Sequence, residues 1–229
     1  MIAPDRPSGF TAALAAQLLE LRRERGAIMV AIDGRGGMGK STVAEKLAAT
    51  AGPAEILGLD AFFRPVAEHP PFDLHAIDHL RAADLAATLR ALRAGHAASY
   101  RPYDWETGGL GAPVAIRPGF VIVEGLYALR RELGVAYDFA IWVEGELSQR
   151  MERIFRRSGG GMTREAARAD PFARLWRDDF APREQAYIER ERPWARADLV
   201  IAGADVAISA VGRQLLVPAP AELSLDPPR

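Results

Sequence analysis

Residues 34–41 read Gly-Arg-Gly-Gly-Met-Gly-Lys-Ser, which fits the spacing G-x-x-x-x-G-K-[ST]. Glycines at Gly34, Gly36, Gly37 and Gly39 let a backbone bend until its N–H groups converge on phosphate oxygens. A helix that begins at such a loop points its positive end at the same anion. In this pattern Lys40 reaches the β and γ phosphates, the Ser41 hydroxyl is a Mg²⁺ ligand, and Thr42 joins the loop residues expected to bind the nucleotide. Arg35 and Met38 fill variable positions and read as exposed loop side chains, Met38 being counted with the loop residues that bind the nucleotide. The expected ligand is a nucleoside triphosphate, with ATP and Mg²⁺ as the working assignment.

Two carboxylates extend the chemistry. Asp60 directly follows the expected strand 55–59, and Glu124 directly follows the apolar run 120–123. Phosphoryl transfer uses one carboxylate to orient and deprotonate an acceptor hydroxyl and another to help hold the metal. Either residue alone also fits a helix cap or a solvated loop, so the argument rests on their shared position at strand ends.

The elements that must position these groups are legible as patterns. Residues 28–32 form a short apolar run rich in β-branched side chains, as a strand buried on both faces does, and residues 41–51 return to helical spacing. Further strands are expected at 55–59, 120–123, 138–143 and 199–202, and further helices at 10–25, 78–94, 146–157 and 179–192. Residues 100–113 are rich in Tyr, Trp, Gly and Pro and read as an irregular or hairpin segment. Three glycines in 158–162 break the preceding helix, and a small lid is expected over about 158–178. Strands alternating with helices predict an α/β fold, a parallel sheet of about five strands covered on both faces. In such sheets ligands bind beyond the carboxyl ends of the strands, where Lys40, Asp60 and Glu124 all fall.

Composition narrows the function classes. With 229 residues the chain suits one domain, taken as 1–217 with a loose tail at 218–229. A formal net charge of −1 gives no chain-wide attraction to nucleic acid or anionic lipid. No apolar run approaches the roughly 20 residues needed to span a bilayer, and the first ten residues lack the pattern of an export signal. The expectation is a cytoplasmic protein with a small-molecule partner and neither nucleic-acid nor membrane partners, self-association into a homo-oligomer remaining open. There is no cysteine, hence no thiolate metal site or cysteine nucleophile. Lysine occurs only at positions 40 and 46 in an arginine-rich chain. Most arginines therefore read as solvated surface, while Lys40 marks a place where a compact point charge is wanted.

Taken together, residues 34–42, Leu59-Asp60-Ala61-Phe62-Phe63-Arg64, Arg101-Pro102-Tyr103-Asp104-Trp105, Val121-Ile122-Val123-Glu124-Gly125 and the arginines of 150–157 resemble the uridine kinase and phosphoribulokinase group of P-loop kinases. The resemblance covers roughly 28–203 and implies the P-loop nucleoside triphosphate hydrolase fold and ATP-dependent phosphorylation of a nucleoside. It implies that Asp60 activates the acceptor hydroxyl and that Glu124 helps hold Mg²⁺. Phe63, Arg64, Phe72, Tyr103 and Arg150 would contact the acceptor, and Arg153 and Arg157 would stabilise charge on the transferring group. Spacing of three and four residues describes one solvated helix face equally well for these arginines.

The sequence departs from the group in two places. Phe63 stands where a tyrosine is usual, and five residues after Tyr103, where a histidine helps read the pyrimidine edge, this chain has Gly108. Other acceptors such as pantothenate or a sugar phosphate therefore stay open, as does a nucleotide-binding module without turnover. A regulatory NTPase is a further alternative. The chain contains no asparagine, so the Asn-Lys-x-Asp segment that reads guanine is absent.

Overall fold

The structure, a computed structural model, describes residues 9–68, 79–145, 176–202 and 210–211. Its centre is a six-stranded sheet. In chain order the elements begin with α1 (Gly9–Arg25), β1 (Ile28–Gly34), α2 (Lys40–Ala51), β2 (Glu55–Gly58) and α3 (Ala82–Arg93). Four short strands follow, β3 (Ala98–Tyr100), β4 (Tyr103–Asp104), β5 (Gly109–Leu110) and β6 (Val114–Ile116). Then come β7 (Phe120–Glu124), β8 (Phe139–Glu144), α4 (Ala181–Glu191), β9 (Leu199–Ala202) and β10 (Ala210–Val211).

The sheet runs β10-β9-β8-β1-β7-β2, parallel throughout except for the antiparallel edge strand β10. All five strands expected from the sequence are present. Every residue of β1 is buried, as a central parallel strand requires. Side chains alternate across it. Ile28, Val30 and Ile32 face the layer of Leu14, Leu18, Val43 and Leu47 from α1 and α2. Met29 and Ala31 face Leu85, Leu89, Tyr187 and Ile188 from α3 and α4. Each fully buried leucine, Leu18 and Leu89 among them, contributes about 2 kcal/mol by removal of apolar surface from water.

Register delivers the functional ends to one level. Glu124 lies beside Ile32 of β1 and Gly58 of β2, so the loop after β1, the turn after β2 and the end of β7 emerge together. Two glycines are required at this edge by close approach. A Cβ on Gly34, at φ 151°, would lie 2.3 Å from the Val143 carbonyl oxygen, and one on Gly125, at φ 147°, 2.7 Å from the Leu59 Cβ. The second contact keeps the Glu124 corner and the Asp60 turn in touch.

Some boundaries differ from expectation. The helix expected from residue 78 begins at Ala82, because Leu80 forms an antiparallel bridge to Phe63 and the Arg81 N–H donates to the Phe62 carbonyl at 2.8 Å. The helix expected over 179–192 is α4, preceded by a wide π turn, Trp176–Phe180. The helix expected at 146–157, most of the lid and the tail lie outside the described residues. No helix among the described residues is long and apolar enough to cross a membrane.

Candidate active site

The phosphate loop joins β1 to α2, and Lys40 is the first residue of that helix. Gly37 and Gly39 adopt φ of 75° and 88°, the left-handed conformations for which glycine is suited. Met38 is not an exposed loop residue. Its side chain is 1% exposed and packs in the α1–α2 layer, an apolar pin that keeps the loop backbone turned toward the cavity. Arg35 is not solvated either. Its guanidinium donates to Glu184 at 3.2 Å and to the Gln185 side chain at 3.1 Å, both on α4.

A cavity of about 220 Å³ opens beyond this edge of the sheet. One end is formed by Gly36, Gly37, Lys40 and Ser41, the other by Phe63, His79, Trp105 and Phe180, with Asp60, Glu124 and Glu184 contributing carboxylates. The Lys40 ammonium donates to the Arg35 carbonyl at 2.9 Å, and the Ser41 hydroxyl to Glu124 Oε1 at 3.3 Å. One hydroxyl and one carboxylate oxygen beside a phosphate loop are the donor set Mg²⁺ takes when phosphates and waters complete its shell. The residues present fit that ion.

Asp60 is exposed on the cavity wall in the short 3₁₀ turn Leu59–Phe62. Arg81 holds this turn from behind, donating to the carbonyls of Ala61 at 3.0 Å, Phe63 at 3.3 Å and Arg101 at 2.6 Å, with its guanidinium over the Phe62 ring. Arg101 ties its hairpin through the Leu110 and Gly111 carbonyls, each at 2.8 Å. Arg101 is itself exposed and Arg81 half-buried, whereas Arg130 and Arg183 are buried. Several arginines that read as surface therefore have structural partners, and the buried ones among them satisfy groups that burial would otherwise leave without partners.

Of the expected acceptor residues, Phe63 is on the cavity wall. Its ring centroid lies 5.3 Å from Trp105 and 5.9 Å from Tyr103. Tyr103 stands behind, packed on Trp105 at 4.8 Å. Arg64 is not on the wall; its backbone N–H donates to the His79 carbonyl at 2.9 Å. Phe72, Arg150, Arg153 and Arg157 lie outside the described residues.

The sequence reading missed a buried hub. Asp33 is 0% exposed. It accepts four hydrogen bonds, from the N–H groups of Gly34 (2.6 Å), Tyr127 (3.2 Å) and Leu129 (2.9 Å) and from the Tyr187 hydroxyl (2.6 Å). Strand alternation explains its company, since Asp33 shares the face of Met29 and Ala31 on which α4 packs. The bond to its N–H helps hold Tyr127 at φ 80°, a conformation unfavourable for a residue with a Cβ. A charged side chain between an apolar strand and a glycine loop was the available signal.

Burial pushes the Asp33 carboxyl up from 3.8 to about 6, against the pull of its donors and of Lys40. Because the folded value is the higher one, protonation favours the fold. The contribution is full below about pH 4 and is lost as pH rises through 6, a change on the order of 3 kcal/mol. Asp33→Asn is expected to remove this slope. In urea titrations the stability difference between wild type and variant should shrink from pH 4 to pH 6.5, and parallel profiles would exclude the assignment.

Glu184 is the second missed residue. It is 2% exposed on α4, and its Oε2 accepts the Gly36 N–H at 2.8 Å. A carboxylate thus sits on the loop that is to receive phosphate, and the like charges oppose each other. Glu184→Gln keeps an acceptor for Gly36 while freeing the Arg35 charge. ATP should bind roughly three- to tenfold more tightly by calorimetry. Weaker binding would mean that the carboxylate supports the loop instead.

The parallel order β2-β7-β1-β8-β9 around a glycine loop that leads into α2 defines an α/β protein of the P-loop nucleoside triphosphate hydrolase fold. Within that fold the chain is similar to structures of candidate kinases. One is a possible uridine kinase from Bacillus stearothermophilus, 19% identical at a TM-score of 0.63, the match covering 83% of this chain and 96% of that one. Another is a candidate fructose transport system kinase from Silicibacter sp. TM1040, 25% identical at 0.59, covering 82% and 94%. A third is a circularly permuted candidate P-loop kinase of Saccharomyces cerevisiae, 13% identical at 0.59, covering 78% and 95%. No family model matches the chain.

Proposed function

We propose that the chain is an ATP-dependent kinase that transfers the γ-phosphoryl group to a hydroxyl of a uridine- or cytidine-like nucleoside. The observation that carries this reading is the placement of Asp60 on one cavity wall with Lys40, between the phosphate loop and an aromatic end that suits a flat ring. In the proposed reaction the acceptor oxygen bonds to the γ phosphorus as the bond from that phosphorus to the β,γ-bridging oxygen breaks. ADP keeps the electron pair, and the hydroxyl proton goes to Asp60. Backbone N–H groups of the loop hold phosphate oxygens, and Lys40 offsets the charge that builds there. Ser41 and Glu124 would hold Mg²⁺, which supplies further charge neutralisation on the β and γ oxygens. By family resemblance, Arg153 and Arg157 are proposed to assist the transferring group, and Phe72 and Arg150 to contact the acceptor. The proposed setting is the cytoplasm.

A non-nucleoside acceptor is the second reading. It is favoured by the likeness to the candidate fructose transport system kinase and by Gly108 and Phe63, which lack the usual polar groups. Coupled ADP-release assays with uridine, cytidine, adenosine, fructose and pantothenate separate the two. Uridine or cytidine should give the highest kcat/KM. Preference for fructose or pantothenate would replace the nucleoside reading, and ADP release indifferent to every acceptor would replace the kinase reading.

A further inference from the structure

We propose that His79 is the specificity residue that reads the polar edge of the acceptor, a task the hairpin does not perform in this chain. The inference rests on the kinase reading and adds a residue to it. Gly108 sits at the hairpin turn at φ 68°, its N–H on the Asp104 carbonyl at 2.8 Å. Asp104 organises the same turn through the Glu106 N–H and the Thr107 hydroxyl. This left-handed position favours glycine and contributes no side chain to any ligand.

His79 enters the cavity from a different segment. It is 7% exposed and on the wall at the aromatic end. Its ring centroid lies 5.4 Å from Phe63, 5.6 Å from Tyr127 and 6.2 Å from Phe180. The backbone there is laced to the Asp60 turn: His79 accepts from the Arg64 N–H, Leu80 bridges Phe63, and Arg81 donates to Phe62. The distance between imidazole and Asp60 is thereby held by short chain segments on both sides. One ring nitrogen of an imidazole, as N–H donor or as lone-pair acceptor according to tautomer, can meet one polar atom on the edge of a base. Aromatic faces around it fix the plane of a ring without choosing among rings, so discrimination falls to the polar group.

Substitution separates this role from mere packing. His79→Phe preserves an aromatic ring among aromatic rings, and His79→Gln restores a donor and an acceptor. The probes are uridine, cytidine, adenosine and a phenyl C-riboside, in which benzene replaces the base. Wild type should favour a base-bearing nucleoside over the phenyl riboside by roughly 100-fold in kcat/KM, the order expected for one buried hydrogen-bonding interaction. His79→Phe should reduce that ratio to within about threefold, with the KM for ATP and the Tm unchanged, and His79→Gln should recover part of it. Calorimetric titration of the same probes with a non-hydrolysable ATP analogue should give the same ranking without turnover. An unaltered ratio in His79→Phe, or no preference for any base-bearing nucleoside in binding or turnover, overturns the proposal. Failure of the kinase reading looks different, since nucleoside binding would remain sensitive to His79 while no phosphorylated acceptor formed.

Discussion

Asp60→Asn is expected to lower kcat for acceptor phosphorylation by roughly 10³-fold while leaving the Kd for ATP within about twofold. The amide is nearly isosteric and can still hydrogen-bond an acceptor hydroxyl, but it cannot take the proton. The expected loss lies within the 10² to 10⁴ range of positioned general bases. ATP binding should survive because Asp60 belongs to the Leu59–Phe62 turn and not to the phosphate loop. Arg81 holds that turn by backbone carbonyls, so the substitution leaves its support in place. Steady-state kinetics with the best acceptor, alongside calorimetry with ATP, test both halves. Unchanged kcat would remove Asp60 from the role of base, and a large loss of ATP affinity would reassign it to nucleotide binding.

Lys40→Ala should be more general in its effect. We expect kcat/KM for ATP to fall by 10³-fold or more, since the Lys40 ammonium belongs to the part of the glycine loop that lines the cavity and would meet phosphate in both the ground state and the transition state. In the structure it already bonds the Arg35 carbonyl at 2.9 Å, which fixes its side chain along the loop before nucleotide arrives. The fold should tolerate the change, because the Met38 pin and the β1 and α2 packing do not involve the lysine head. Circular dichroism and Tm should match wild type. ATP binding that persists at wild-type affinity would show that loop N–H groups suffice and confine Lys40 to the chemical step.

These two variants fail in distinguishable ways. Loss of ATP binding in Lys40→Ala with retained binding in Asp60→Asn separates the nucleotide end of the cavity from the acceptor end. Reading both against His79→Phe divides the site into phosphate, proton and recognition functions. Each is carried by a side chain from a different segment.

Much of this site was legible in one dimension because its parts are local. The glycine spacing of the loop, the lysine and serine that close it, and the apolar runs before Asp60 and Glu124 are short-range patterns set by backbone sterics and strand burial. The five parallel strands followed from the same runs, and the position of carboxylates at strand ends followed from the rule for open sheets. What remained invisible depended on which elements meet. Asp33 fell between the expected strand 28–32 and the loop 34–41 and drew no role until α4 placed Tyr187 on it. Met38 and Arg35 looked like loop surface until α1, α2 and α4 covered them. Glu184 reaches the Gly36 N–H across 148 positions of sequence, and His79 gains its neighbours from the Leu80 bridge to Phe63 beside it and from Phe180 of a later segment. No spacing encodes such pairings. Local sterics and hydrophobic periodicity determine a phosphate loop and its strands, whereas packing of distant segments decides which polar groups are buried beside it and which of them can meet an acceptor.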